Sequence, residues 1–438
     1  MRHKYKKQLQ LHHEAVVDVA IVGAGAAGLF AAIWAGKKVE GHSVQIAVFD
    51  SARKLGAKIL VAGGGRCNVT HCRVTEHDFA GSSPAAIRKV LRRFSVEQTV
   101  QFFADAGIEL KKEETGKLFP VSDSARTILQ ALLDQVHSVD ASITHPARVT
   151  DIDQLPCDGL TKGCDKEPRL RVVSEDGVLL ARHVIVCTGG KSLPKSGSDG
   201  SGYRLVEKLG HTISKPLVPA LVPLTLADSH WIRGLSGVTV PTAVTLSKES
   251  GKRICTYSGS TLCTHLGLSG PSILDISRHW LIEQDADSNV RLNINWLPEH
   301  SENVLDDLLQ DQRIGAFGVL RRWLPDRLAR QLCIESGATC TGDLTRSIRK
   351  KLVKSVTATP LPVQGNRGFA VAEATAGGVP LEEVQLETME SRKCPGLYLA
   401  GEVLDVDGRI GGFNFQWAWS SGFVAGSAVA KSATEGSN

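Results

Sequence analysis

The 438-residue chain has no run of basic residues interleaved with aromatics, and aromatic residues make up only 5% of it. That argues against a nucleic-acid partner. Its net charge is a mild +5, part of it in Arg2, Lys4, Lys6 and Lys7, which precede any apolar pattern and read as a solvated, frayed terminus. The ten cysteines are scattered and not clustered, so a disulfide-stapled secreted domain is excluded in favour of reduced thiols in a cytoplasmic protein. Val19–Gly36 is free of charged residues, but glycines interrupt it, Asp18 sits just ahead, and no second segment of that kind follows. A membrane span is therefore rejected. No metal-ligand spacing and no Ser/His/Asp order stands out. The two methionines and four tyrosines carry no functional reading.

What the chain does have is glycine, 43 residues of it, in clusters. Val16-Val17-Asp18-Val19-Ala20-Ile21-Val22 has strand character and runs into Gly23-Ala24-Gly25-Ala26-Ala27-Gly28. Leu29–Gly36 then reads as helix. In this G-x-G-x-x-G, Gly23 makes the tight turn, Gly25 lets a pyrophosphate approach the backbone, and Gly28 lets helix and strand pack closely. The amides of Ala26 and Ala27 and the positive end of the helix dipole then face the phosphates. A second strand, Val44–Phe49, ends in Asp50, at the spacing of the acid that binds the adenosine ribose.

The choice of FAD over NAD comes from two further features. Gly63-Gly64-Gly65 follows Asp50 too closely for an ordinary βαβ unit and reads as a loop lining an extended cofactor. Arg66 is then available for phosphate and Asn68 for a polar contact. Near the other end, Leu397–Ala400 is a short apolar strand that leads into Gly401-Glu402. Gly411-Gly412-Phe413-Asn414-Phe415 opens a helix whose N-terminus would stabilise negative charge on a reduced flavin.

The motifs Gly63–Asn68 with Val69-Thr70, Phe119–Ser122, Thr188–Ser192, Pro219–Leu224, Gly267–Pro271, Thr375–Val379 and Gly411–Ser421 resemble the BaiN-like, aminoacetone oxidase family of FAD-binding proteins. They span nearly the whole chain, from Val16 to Ala430, in the family's order. The resemblance implies an α/β fold, a discontinuous Rossmann-type FAD-binding domain with an inserted domain, and NAD(P)H as a candidate transient electron donor. Its expected cofactor-binding set is Gly23, Gly25, Ala26, Ala27, Gly28, Asp50, Ser51, Lys54, Gly64, Gly65, Arg66, Cys67 and Asn68 in the first part. Val149, Thr188, Gly189 and Gly190 follow, and then Gly401, Glu402, Gly412, Phe413, Asn414 and Phe415. Asp50 stands where the family has glutamate, His71 replaces an asparagine, Ala62 a serine, and Phe413 and Phe415 a tyrosine and a leucine. These changes are expected to leave FAD binding intact and to alter the flavin pocket, so that the resemblance does not by itself carry over a substrate.

Elsewhere the pattern predicts helices opened by Ser83-Pro84, over Val96–Ala106 and over Asp123–Val136, and strands at Ala147–Ile152, Leu170–Val173 and Val178–Cys187 with an Asp176-Gly177 turn. Cys157 and Cys164 lie in a polar loop and make a poor metal site. The expected division is an FAD-binding part at 15–193, an inserted domain at 194–360 (β-rich to about 298, helical over 299–360), and a second FAD-binding part at 361–432.

The expected function is an FAD-dependent oxidoreductase that passes hydride through the flavin to or from a small apolar organic molecule, fed by NAD(P)H. Cys67, His71 and His265 are the catalytic candidates. Two alternatives stay open: a dithiol enzyme using Cys67 and Cys72, and a non-catalytic flavin sensor.

Overall fold

A computed structural model describes residues 15–39, 44–156, 167–310, 314–338 and 344–435. The basic N-terminal residues and the Cys157–Cys164 loop fall outside these. The chain forms two compact units, one from residues 1–217 and 374–438 and the other from 218–373. The first unit is thus built from both ends of the chain. Its boundaries differ from those expected at 194 and 360. Ser201–Lys208 is an amphipathic helix whose Tyr203, Leu205 and Val206 are buried in the first unit's core, so the chain stays there for some twenty residues longer. At the far side, Thr359–Leu361 and Val363–Asn366 are strands of the second unit's sheet and keep 361–373 with it.

The centre of the first unit is a parallel sheet. Leu397–Leu399, Gly177–Val186, Ala15–Val22, Ile46–Phe49 and Ser142–Thr144 lie side by side in that order. The inner strands are β-branched and buried on both faces, as parallel strands covered by helices must be. The helix Ala26–Lys38 covers one face, and the C-terminal helix Phe413–Glu435 packs on it. That contact is backbone to backbone: a Cβ on Gly422 would sit 2.7 Å from the carbonyl oxygen of Ala27, and one on Gly426 would sit 2.3 Å from that of Ala31. The scarce aromatics pool beside it. Phe30 meets Phe94, Phe102 and Trp419 with ring centroids 4.7–5.2 Å apart.

The predicted helices are observed at Pro84–Leu91, Val96–Asp105 and Ala125–Ser138. Ser83 and Ser95 cap the first two, and Gly107 ends the second in the left-handed region. The strands Leu170–Ser174 and Gly177–Val186 pair antiparallel around the Asp176 turn.

The second unit has its own core and an antiparallel sheet, ordered Thr359–Leu361, Arg291–Asn295, Thr239–Ser247, Arg253–Thr264, Gly267–Ser269, Leu224–Leu226, Val363–Asn366. The helix Pro271–Ala286 interrupts the strands of the part expected to be β-rich to about 298. The helices Glu302–Leu309, Gly315–Leu320, Asp326–Ser336 and Arg346–Thr357 follow. Among the described residues no helix is long and apolar enough to cross a membrane.

Replacing Gly426 with valine drives two methyl groups into the Ala31 backbone and is expected to destabilise the first unit by about 2 kcal/mol. Urea unfolding checks this; an unchanged midpoint would mean the two helices do not meet at that distance.

Candidate functional site

The first strand delivers the chain to Gly23 at φ 103°, whose amide donates to Phe49 O at 2.7 Å. A Cβ there would meet Cys187 O at 2.4 Å, and one on Gly28 would meet Gly23 O at 1.8 Å, so neither position accepts a side chain. A Cβ on Gly25 would meet nothing within 4 Å. The helix Ala26–Lys38 begins there without a side-chain cap, leaving its first amides free for an anion. Asp50 ends the second strand. Its Oδ2 accepts from Ala24 N at 2.6 Å and its Oδ1 from Ala52 N at 2.7 Å. Burial pushes the Asp50 pKa up from the usual carboxylate value, opposed by those two amides. The carboxylate therefore ties the glycine loop to the second strand.

Three distant segments meet at Glu402. Its Oε1 accepts from Ser192 Oγ at 2.9 Å and from Thr375 N at 2.8 Å, and its Oε2 accepts from Lys58 Nζ at 2.5 Å. Lys58 also donates to Ser192 Oγ at 2.6 Å. Thr375 Oγ1 accepts from the amides of Lys191 and Ser192, and a Cβ on Gly190 would collide with it at 2.5 Å. The Lys58 and Glu402 side chains are 29% and 18% exposed, so the pair is only partly screened by water. Among the described residues several buried polar atoms near this junction have no hydrogen-bond partner, namely Thr188 Oγ1, Ser198 Oγ and the Tyr203 hydroxyl, and Asn68 Oδ1 beside Gly63 has none either. Burial, reinforced by the charge of Glu402, pushes the Tyr203 pKa well above that of a free tyrosine. Buried polar atoms are normally satisfied, so a cluster of orphans calls for a polar ligand.

Residues 17–428 match the family described as HI0933-like protein Rossmann domain. The chain belongs to this family of FAD-dependent Rossmann oxidoreductases. It is 33% identical over 419 residues to a ribosomal RNA dihydrouridine synthase of Haemophilus influenzae, covering 94% of this chain and 98% of that one. It is 32% identical to a protein of that name from Escherichia coli (93% and 96% covered) and to a 3-dehydro-bile acid delta(4,6)-reductase of Clostridium scindens (94% and 99%). Among solved structures, the FrdA chain of Escherichia coli quinol fumarate reductase shares the fold, with a TM-score of 0.51 at 17% identity over 98% of this chain and 72% of that one.

In this HI0933-like protein the second glycine cluster closes the helix Ala57–Gly65, which breaks at Ala62. Gly63 and Gly64 take left-handed angles of 56° and 69°, and Gly64 and Gly65 are exposed. The loop expected there is present as that break. Ser51 is half-buried, Lys54 is exposed, and Val149 opens a strand. Arg66 has acidic partners of its own. It pairs with Glu113 at 2.6 Å and Asp123 at 3.6 Å and lies 4.0 Å over the Phe119 ring. Gly401 sits where a Cβ would touch that of Ala27 at 2.8 Å, so the two glycine motifs are neighbours. Gly412 passes directly over Thr70; Phe413 stacks on His71 at 4.9 Å, and Phe415 on Trp419 at 5.6 Å. Asn414 closes a ring with Gly408 through both its oxygen and its nitrogen.

The catalytic candidates fare differently. Cys67 is fully buried, and burial pushes its thiol up to about 12, so it is protonated at neutral pH and unsuited to the thiolate of a redox pair. Cys72 is exposed, and neither cysteine is in a disulfide. Both His71 nitrogens lie 2.9 Å from backbone carbonyl oxygens, of Arg73 and Thr115. That holds the ring as packing for Phe413. His265 is an exposed turn residue of the second unit. Lys58, Ser192, Thr375, Ser198 and Tyr203 are absent from the sequence-derived set. Ser192 and Thr375 stand inside family motifs, and that was the available signal; nothing in the sequence singles out Lys58, Ser198 or Tyr203.

Peptide mapping after brief iodoacetamide treatment at pH 8 is expected to find Cys72 labelled and Cys67 unlabelled until the chain is unfolded. Equal labelling of both in the native protein would contradict the buried thiol.

Proposed function

We propose that this chain reduces a carbon–carbon double bond conjugated to a carbonyl, and that its substrate is a uridine in ribosomal RNA. The carrying observation is the set of relatives at 32–33% identity over nearly full length. Their named products and substrates look unalike, yet the bond is the same. Dihydrouridine is uridine saturated at C5–C6, a bond conjugated to the C4 carbonyl; a 3-oxo steroid with delta(4,6) unsaturation presents the same polarised system. In uridine hydride adds at C6, β to the carbonyl, and a proton at C5; in the dienone hydride adds at the β carbon or, through the extended conjugation, at the δ carbon, with a proton at the neighbouring carbon nearer the carbonyl.

FAD, when bound, supplies the hydride, and NAD(P)H is the donor that replenishes it. The residues of the first unit fit that cofactor. The uncapped helix at Gly25 and the open space around Gly25 and Gly64 suit a pyrophosphate, which needs amides and no Cβ. Asp50 holds the loop in shape and would take the adenosine ribose. Glu402, fixed by Lys58, Ser192 and Thr375, would take the ribityl hydroxyls. The orphaned atoms of Asn68, Thr188, Ser198 and Tyr203 would find partners on a ligand this rich in polar groups. The start of the helix Phe413–Glu435, stiffened by the Asn414–Gly408 ring, would favour negative charge in the reduced cofactor. A small apolar enone is the second reading, favoured by the bile-acid reductase among the relatives.

The test is anaerobic incubation of FAD-loaded protein with NADPH and an unmodified ribosomal RNA transcript, in parallel with a 4-en-3-one steroid. Dihydrouridine detected by mass spectrometry is the expected result. Reduction of the steroid alone supports the second reading, and reduction of neither overturns both. Asp50→Ala and Glu402→Gln are each expected to raise the FAD dissociation constant at least about tenfold, roughly 1.4 kcal/mol, by equilibrium dialysis.

A further inference from the structure

The charge of this chain is unevenly placed. Residues 321–354 hold nine Lys and Arg against three Asp and Glu, more net charge than the +5 of the whole chain, so all the remaining residues together are net negative. The sequence showed no long basic run with aromatics because this charge comes from two segments that folding joins. One is Arg321-Arg322-Trp323 with the helix Asp326–Ser336; the other is the helix Arg346–Thr357 packed against it.

The helix Arg346–Thr357 buries Leu352, Val353 and Val356 and has no acidic residue. Arg346, Lys350, Lys351 and Lys354 are exposed, and Arg346, Lys350 and Lys354 fall on one stripe at i, i+4, i+8. Like charges at that spacing oppose helix formation, so the stripe is not there for the helix's own stability. The neighbouring helix Glu302–Leu309 answers only part of the charge, through Asp306 with Arg349 at 2.8 Å and Glu302 with Lys354 at 3.7 Å. Among the described residues, Arg322, Arg346, Lys350 and Lys351 have no ion-pair partner. In the other segment Arg321 and Arg330 both lie over the Phe317 ring, at 5.4 and 4.8 Å, and Trp323 is 38% exposed with His300 at 4.6 Å.

We propose that this face of the second unit docks RNA, its lysines and arginines on the phosphates and Trp323 open to an unpaired base. The inference rests on the reading of a uridine in RNA as substrate. RNA fits better than a lipid surface, because a helix that lies on a membrane inserts its apolar side, and Leu352, Val353 and Val356 are already buried in the unit's core. RNA fits better than an acidic peptide because exposed indole and guanidinium planes are what unpaired bases stack on.

The test uses full-length, FAD-loaded protein and a fluorescein-labelled ribosomal RNA hairpin with unpaired uridines, read by anisotropy over a series of KCl concentrations. The double charge reversal Lys350→Glu with Lys351→Glu is expected to weaken binding at least about tenfold. It should also make the dependence of log K on log salt shallower by about 1.5, the loss of two phosphate contacts. Trp323→Ala is expected to weaken binding about fivefold or more with an unchanged salt slope, as loss of a stacked base should. Lys248→Glu with Lys252→Glu, exposed in a strand connection of the same unit, is the control and should change binding less than about threefold. Unaltered circular dichroism and flavin absorbance show that the variants are folded. Wild-type protein that does not bind the hairpin, or a Lys350/Lys351 double variant that binds as the control does, overturns the proposal. So does tighter binding to phosphatidylglycerol vesicles with the same sensitivity to these substitutions. If RNA binds through this face and no dihydrouridine forms, the docking surface stands and the reading of the reaction fails.

Discussion

The site depends on one contact, the backbone-to-backbone approach of the first helix to the last. Gly422 and Gly426 let the helix Phe413–Glu435 lie against the carbonyls of Ala27 and Ala31. Without that approach the two glycine motifs would belong to different parts of the molecule. With it, Gly401 comes against Ala27, and the acid beside it reaches Lys58, Ser192 and Thr375. Residues some 340 positions apart thus share a carboxylate. The same close approach lets Phe30 and Trp419 join one aromatic cluster, so the helix contact and the core reinforce each other.

Much of this was legible in the sequence, for identifiable reasons. The strand, glycine loop and helix from Ala15 to Lys38 follow from β-branched residues, then glycines, then helix formers, each signal local. Asp50 follows from spacing along a unit of fixed length. The acidic partners of Arg66 were not legible, because Glu113 and Asp123 come from elsewhere in the chain. The domain edges misled because a motif ends where the ligand contact ends, whereas the chain stays in a core for as long as it has apolar residues to bury, as Tyr203, Leu205 and Val206 do. Lys58, Ser198 and Tyr203 were missed because single polar residues carry no pattern; only burial without a partner marks the latter two.

The two units divide the physics of the protein between them. The first is rich in glycine turns and buried hydroxyls, suited to a cofactor recognised through backbone amides and hydrogen bonds. The second is nearly balanced in charge as a whole but gathers its lysines and arginines on one helical segment, residues 321–354, suited to a polyanion recognised through its phosphates. If the proposed RNA docking holds, surface charge rather than new chemistry at the cofactor would set the substrate class.

The most direct test of the central claim, that both ends of the chain fold into one FAD-holding unit, is the flavin stoichiometry of the purified protein measured by absorbance after release from the folded chain. The account predicts about one FAD per chain, retained through gel filtration and lost on global unfolding. A protein that folds cooperatively yet takes up no flavin, even after incubation with excess FAD, would contradict it.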